Sequence, residues 1–238
     1  MLLIERECQI KLPARSLGEY LKRWGCTPQK PLRRGYEQSP AAAGKWLDES
    51  YPEIKQRAKQ EEAEIHWGDE TAVMNTDVRG RGLAPKGQTP VACVHGGTRQ
   101  ELSMISTVTN QGKASWMIVE GNFNPLRLIE FFEALIKQAR RKVFLILDNL
   151  GVHPCKPVKE WLAVHKKDIE VFFLPSYSPE LNPDERLHGG LKQASETRLP
   201  CRTKSKLQMA ATQHMQRLEN NPGCSNAFFK DPIVAYAA

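Results

Sequence analysis

The sequence predicts an α/β protein, a mixed sheet flanked by helices, preceded by a short basic helical segment. Three observations predict it. VFLIL at 143–147 is a continuous apolar run of strand length, the pattern of a strand buried on both faces. NPLRLIEFFEALIKQARR at 124–141 has clean helical periodicity, with Asn124 as N-cap and Pro125 at the first position. Several strand-like stretches between 63 and 122 precede an alternation of helix, strand, helix, strand and helix. That order describes a sheet covered by helices on its faces.

Composition bounds the alternatives. A chain of 238 residues corresponds to one or two domains, at roughly 150 residues per domain. Hydrophobic residues make up 40% and charged residues 26%, which excludes a largely disordered chain. The longest apolar run is far too short to span a membrane, so no membrane partner is expected. The N-terminus turns acidic at Glu5 and lacks the basic-then-apolar order of a signal peptide. Six cysteines are scattered without a CxxC pair, which suggests neither a disulfide framework nor a zinc knuckle; a reduced, cytosolic protein is expected. Charge divides unevenly: residues 1–60 carry +5, 61–185 carry −3 and 186–238 carry +5. Basic arms around an acidic centre suit a polyanion such as nucleic acid, though solvated surface charge would give the same count.

Along the chain, SLGEYLKRWG reads as a helix with Ser16 as N-cap, Glu19 as capping-box acid and Gly25 as its stop. Leu17, Tyr20, Leu21 and Trp24 share one face, with Lys22 and Arg23 opposite. Residues 27–40 are Pro-rich and basic and read as a linker. Residues 41–62 return to helix, with Trp46, Leu47 and Ile54 inward. AEIHWGDETAV, QTPVACVHG and LSMISTVTNQG are candidate strands, and Asn110-Gln111-Gly112 turns the last into ASWMIVEGN. After the 124–141 helix and the VFLIL strand, PVKEWLAVHKK reads as helix and IEVFFLPSY as strand. LNPDERLHGGLKQ and TKSKLQMAATQHMQRLEN are the closing helices.

Three acids stand out by position. Asp69 lies in the first strand beside Glu70, Asp148 ends the most hydrophobic strand, and Glu185 is in the first turn of a helix. Acids at strand ends of such sheets face the ligand crevice. Converging carboxylates offer hard oxygen ligands for Mg²⁺ or Mn²⁺, and a pair of such ions suits in-line phosphoryl displacement. Each acid also has a purely structural reading. Glu185 could close a capping box with Asn182, Asp148 could open a turn with Asn149, and Asp69 could lie on an exposed edge.

VFLILDNLGVH followed by FFLPSYSPELNPDE resembles the catalytic core of mariner-like DDE transposases of bacterial insertion sequences. The matching positions are Asp148, Asn149, His153, Leu174, Pro175, Tyr177, Ser178, Pro179, Leu181, Asn182, Pro183 and Glu185. Thirty-six residues separate Asp148 from Glu185, close to the family's gap, and Trp67, Asp69 and Glu70 match its first-acid strand. The resemblance covers roughly residues 45–199. It implies a ribonuclease H-like fold over 41–238, C-terminal helices included, with Asp69, Asp148 and Glu185 as catalytic and metal-binding triad. It implies Mg²⁺ or Mn²⁺, two ions in the active complex, and DNA partners: element ends and target. Strand cleavage by water and attack of the freed 3′-OH would follow, in a homodimer on DNA associated with the bacterial nucleoid.

The remaining candidates are secondary. His153, Tyr177, Arg79 and Arg81 with Lys86 in a basic loop, and Lys22 and Arg23 in the N-terminal helix are candidates to contact DNA. A surface-turn histidine, loop structure at Tyr177 and an ordinary solvated turn at 79–86 are the structural alternatives. His188, three residues after Glu185, could support the metal ligands. Cys93 and His95 share a strand face, and Trp67 reads as core. The family usually begins with a longer helix-turn-helix region, so residues 1–40 are expected to be a truncated remnant of one plus its linker. Gly189-Gly190 would weaken the Glu185 helix by roughly 2 kcal/mol relative to alanine. Two other activities fit the same features: a non-catalytic DNA-binding remnant, and a ribonuclease H-like nuclease.

Overall fold

The computed structural model describes residues 2–11, 13–26, 38–75, 100–121, 123–148, 155–197 and 203–238. It divides into two compact units, residues 1–34 and 35–238.

The first unit contains α1 (Leu2–Cys8) and α2 (Ala14–Arg23). The second of these starts two residues before the expected cap at Ser16, because Pro13 at φ −62° already holds the backbone in the geometry that enters a helix. Gly25, at φ +78°, ends it as expected. Tyr20, Leu21 and Trp24 are exposed on its surface.

The second unit opens with α3 (Pro40–Lys45), which runs through a π-turn at Trp46–Ser50 into α4 (Tyr51–Gln60). The single expected helix is thus interrupted. Pro52 has no N–H to give to the preceding turn, and the Tyr51 N–H reaches back five residues to the Trp46 carbonyl instead.

Five strands follow: β1 (Glu64–Met74), β2 (Glu101–Val108), β3 (Ala114–Val119), β4 (Val143–Leu147) and β5 (Ile169–Phe173). Their order across the sheet is β3-β2-β1-β4-β5. The first three form an antiparallel meander, with the turn at 110–112 closed by Gly112 at φ +85°. The last two join in parallel through helical crossovers, α5 (Pro125–Ala139) and α6 (Lys156–Val164). As expected, the Asn124 side chain caps α5, accepting from the Leu126 and Arg127 N–H groups. The predicted strand QTPVACVHG lies outside the described residues.

The alternation of β4 makes two cores. Phe144 and Ile146 face one side, with Trp67 and Met104 and the helices α4, α7 (Asp184–Thr197) and α8 (Lys204–Glu219). Val143, Leu145 and Leu147 face the other, against Phe131, Phe132 and Leu135 of α5 and Val158 of α6. All five β4 side chains are fully buried, as a strand covered on both faces requires. Trp67, 1% exposed, is core as expected; its ring meets Tyr51 at 5.3 Å and Tyr236 at 5.6 Å between centroids. The Tyr236 hydroxyl donates to the Leu181 carbonyl (2.8 Å), tying the C-terminus to the segment that leads into α7.

At the other end of β1, Glu64 and His66 are buried polar residues. Glu64 accepts from the Lys113 ammonium (2.8 Å), and His66 Nδ1 lies 3.3 Å from the Thr107 hydroxyl. Burial pushes the His66 imidazole down to about 4. Among the described residues no helix is long and apolar enough to cross a membrane.

Candidate active site

Two local devices hold the acids in place. The first is the pairing of β1 with its neighbours. In β1, odd-numbered side chains from Ile65 to Val73 face the α7 side, so Asp69 lies beneath that helix rather than on an exposed edge. Its partner across the antiparallel ladder is Ser106. On the parallel side the ladder ends at the pair of Gly68 with Leu147, and Asp148 is the residue that follows β4. Gly68 lets both neighbouring strands come close: a Cβ there would come within 2.8 Å of Thr107 Cγ2 on β2 and 3.0 Å of Leu147 Cδ2 on β4.

The second device is Asn182. Its Nδ2 donates to the Gly68 carbonyl (2.9 Å) and its Oδ1 accepts from the Asp184 N–H (3.0 Å). One buried amide therefore caps α7 and fixes its start to the strand carrying Asp69. The Asn182 N–H itself donates to the Pro179 carbonyl (2.9 Å), so Glu185 is not needed to close a capping box. Pro179–Leu181 form a single 3₁₀ turn, and the buried Ser178 hydroxyl receives the Gln38 amide (3.1 Å), stiffening the approach to α7.

From this start α7 carries Asp184, Glu185 and His188 toward β1. Asp69, Glu185 and His188 each offer one ligand atom, and the three lie within 4.8 Å of one another. Asp69 is 8% exposed and His188 1%. His188 Nδ1 is 3.4 Å from Asp69 Oδ2, and its Nε2 is 3.1 Å from Asp184 Oδ2 and 3.0 Å from Ser106 Oγ. The Ser106 hydroxyl donates to the same Asp184 oxygen (2.8 Å), while Asp184 Oδ1 is buried without a partner.

The electrostatics follow from burial and crowding of like charge. Desolvation raises Asp184, against the pull of His188. Glu185 is raised first by burial and then by the negative charge of Asp69. Burial alone would lower His188, but Asp184 and Asp69 outweigh it and push the imidazole up to about 10. One imidazolium thus faces three acids in a largely dry crevice, and the site has unmet demand for positive charge. Hard carboxylate oxygens plus a nitrogen in that setting suit a divalent cation.

Of the expected triad, Asp69 and Glu185 come together; Asp148 is half-buried, one residue beyond the end of β4, and is not a member of the Asp69–Glu185–His188 cluster. His188 reaches the cluster, as its helical spacing from Glu185 allowed. Tyr177 is exposed, at φ +57°, on the loop ahead of α7. Lys22 and Arg23 are exposed on α2, with the Arg23 guanidinium 5.7 Å from the Tyr20 ring centre. Arg79, Arg81, Lys86, Cys93, His95 and His153 lie outside the described residues. Sequence reasoning missed Ser106 and Asp184. The i, i+4 spacing of Asp184 to His188 was a usable signal, whereas Ser106 shows itself only through strand register. The helix does run through Gly189 and Gly190 unbroken.

Comparison with known proteins agrees with this architecture. Residues 64–208 match the family model described as DDE superfamily endonuclease, and residues 1–50 match a winged helix-turn-helix model. No curated protein sequence matches the chain. Among solved structures, the Mos1 strand transfer complex superposes with a TM-score of 0.65 at 15% identity, covering 100% of this chain and 76% of that one. The mariner Mos1 paired end complex with Mg gives 0.63 at 15% identity, covering 100% and 77%. The Mos1 mariner transposase catalytic domain gives 0.53 at 14% identity, covering 87% and 97%. These likenesses give the fold as ribonuclease H-like. With the family model spanning β1 to α8 and the acids of the crevice inside it, the chain belongs to the DDE superfamily endonuclease family.

Proposed function

We propose that the protein is a transposase of the mariner-like kind found in bacterial insertion sequences, cleaving and transferring DNA strands with Asp69, Asp148 and Glu185. The observation that carries the reading is the convergence of Asp69 and Glu185, from a central strand and a separate helix, beneath an otherwise apolar helix–sheet layer. Family membership and the likeness to Mos1 complexes with DNA and with Mg or Mn support it.

Asp69, Asp148 and Glu185 would hold Mg²⁺ or Mn²⁺, two ions in the active complex. Such ions, when bound, activate the attacking oxygen and stabilise the leaving one in an in-line phosphoryl displacement. The chain's own residues supply the frame. Asn182 sets the distance of Glu185 from β1, and the apolar layer around Trp67 and Leu187 keeps the crevice walls rigid and dry. No side-chain nucleophile is required, so the Ser178 hydroxyl, bonded to Gln38, keeps a structural role. Lys22 and Arg23 in the helix-turn-helix match, with Arg79, Arg81, His153 and Tyr177, would contact DNA backbone. Synapsis of two element ends calls for a homodimer on DNA.

The test is joining of a duplex carrying a free 3′-OH to a supercoiled plasmid, with Mg²⁺ or Mn²⁺, by wild type and by Asp148→Asn. Joined product in wild type and at least a hundredfold less in the variant is expected. Metal-dependent nicking without joining would favour the nuclease reading. Salt-sensitive DNA binding with no cleavage, unchanged by the substitution, would favour a binding remnant and overturn the proposal.

A further inference from the structure

We propose that His188 is itself a metal ligand, through Nδ1, and that Asp184 and Ser106 form the buried clasp that aims it. This deepens the metal-dependent reading above and rests on it. The argument begins at Nε2. That atom is within hydrogen-bond distance of Asp184 Oδ2 and of Ser106 Oγ. The single hydroxyl proton of Ser106 goes to Asp184 Oδ2 at 2.8 Å, so Ser106 has only lone pairs to offer the ring. Two acceptors on one side of the imidazole fix Nε2 as its N–H.

Nδ1 is then the ring atom turned to Asp69 Oδ2, 3.4 Å away, with a Glu185 oxygen inside the same 4.8 Å cluster. The imidazolium keeps a proton on Nδ1 toward Asp69 Oδ2, and a metal ion binding there would displace that proton. A divalent cation is an electrophile that all three groups can share. Carboxylate, imidazole and metal in series is the usual way proteins orient a ligating histidine, the outer carboxylate fixing the tautomer and raising the basicity of the ring. Asp184, fully buried and four residues before His188 on one helix face, has no other visible purpose for its cost of burial.

A nitrogen ligand has a consequence that an all-carboxylate site lacks. It shifts preference from Mg²⁺ toward Mn²⁺ and Zn²⁺, which accept imidazole readily. The test is pulsed electron paramagnetic resonance on the full chain loaded with Mn²⁺, reading electron spin echo modulation from directly bound nitrogen. Wild type grown with ¹⁵N-histidine should replace the ¹⁴N modulation with that of ¹⁵N, which needs no variant. His188→Gln should lose the signal and bind Mn²⁺ at least tenfold more weakly by calorimetry, while Gly189→Ala, at an exposed position with nothing near its Cβ, keeps the signal. Saturable Mn²⁺ binding without histidine modulation in wild type, or modulation that persists in His188→Gln, would overturn the nitrogen ligand and leave the carboxylate site standing. Absence of saturable Mn²⁺ binding in folded wild type, alone and with DNA, would overturn both.

Discussion

Replacing Asn182 by alanine tests the link between helix and strand on which the site depends. The side chain is 1% exposed, and both of its polar atoms are engaged, one with the Gly68 carbonyl and one with the Asp184 N–H. Loss of the cap costs ~1 kcal/mol. Loss of the buried bond to Gly68 adds about 1–2 kcal/mol, because the partner carbonyl loses a donor without gaining water. The sum is about 2–3 kcal/mol, readable as a lower urea midpoint at unchanged slope. Glu185 begins three residues later, so slippage of the α7 start widens its distance from Asp69; affinity for Mn²⁺ should fall at least tenfold, in the range of outer-shell losses at metal sites. Asn182→Ser separates the two bonds: a serine caps the helix but is too short to reach Gly68, so stability recovers by about 1 kcal/mol while metal affinity stays low. An alanine variant within 0.5 kcal/mol of wild type by urea unfolding, with unchanged Mn²⁺ affinity, would refute the reasoning.

Two further outcomes follow from the same structure. Gly189 is exposed in a helical stretch with nothing within 4 Å of a Cβ placed there, so Gly189→Ala should stabilise the fold by about 1 kcal/mol and leave metal binding unchanged; thermal unfolding decides it. His66 is held down to about 4, against 6.5 for the free side chain, with burial the main cause, Glu64 opposing and Lys113 assisting. Between those values the unfolded chain binds a proton that the folded chain refuses. Stability is therefore full above pH 6.5 and declines as pH falls toward 4, by about 3 kcal/mol. Urea unfolding across that window should be distinctly less pH-dependent in His66→Gln than in wild type, and equal slopes would contradict the assignment.

What was legible in the sequence and what was not divides along range of interaction. Asn124 before Pro125 is a cap readable from a few neighbouring residues, and its side chain does accept from the Leu126 and Arg127 N–H groups. VFLIL declares its burial by composition alone. Ser16 failed as a cap for an equally local reason, since Pro13 starts the helix sooner. The acids are a harder case. Glu185 in the first turn of a helix is a common structural placement, and only the use of the Asn182 N–H by Pro179 removes that explanation. Ser106 lies 37 positions from Asp69 along the chain yet directly opposite it in the sheet, and no periodicity within either strand fixes that register. The same holds for Asn182 and Gly68. Yet the two levels constrain each other. A fully buried Asp184 is expensive unless something nearby justifies it, and the helix periodicity that puts it under His188 also puts Glu185 beside Asp69. The N–P–D–E–R–L–H run is therefore best understood as one device: its asparagine holds the helix to the strand, its glutamate faces the crevice, and its aspartate and histidine turn a buried charge into a directed one.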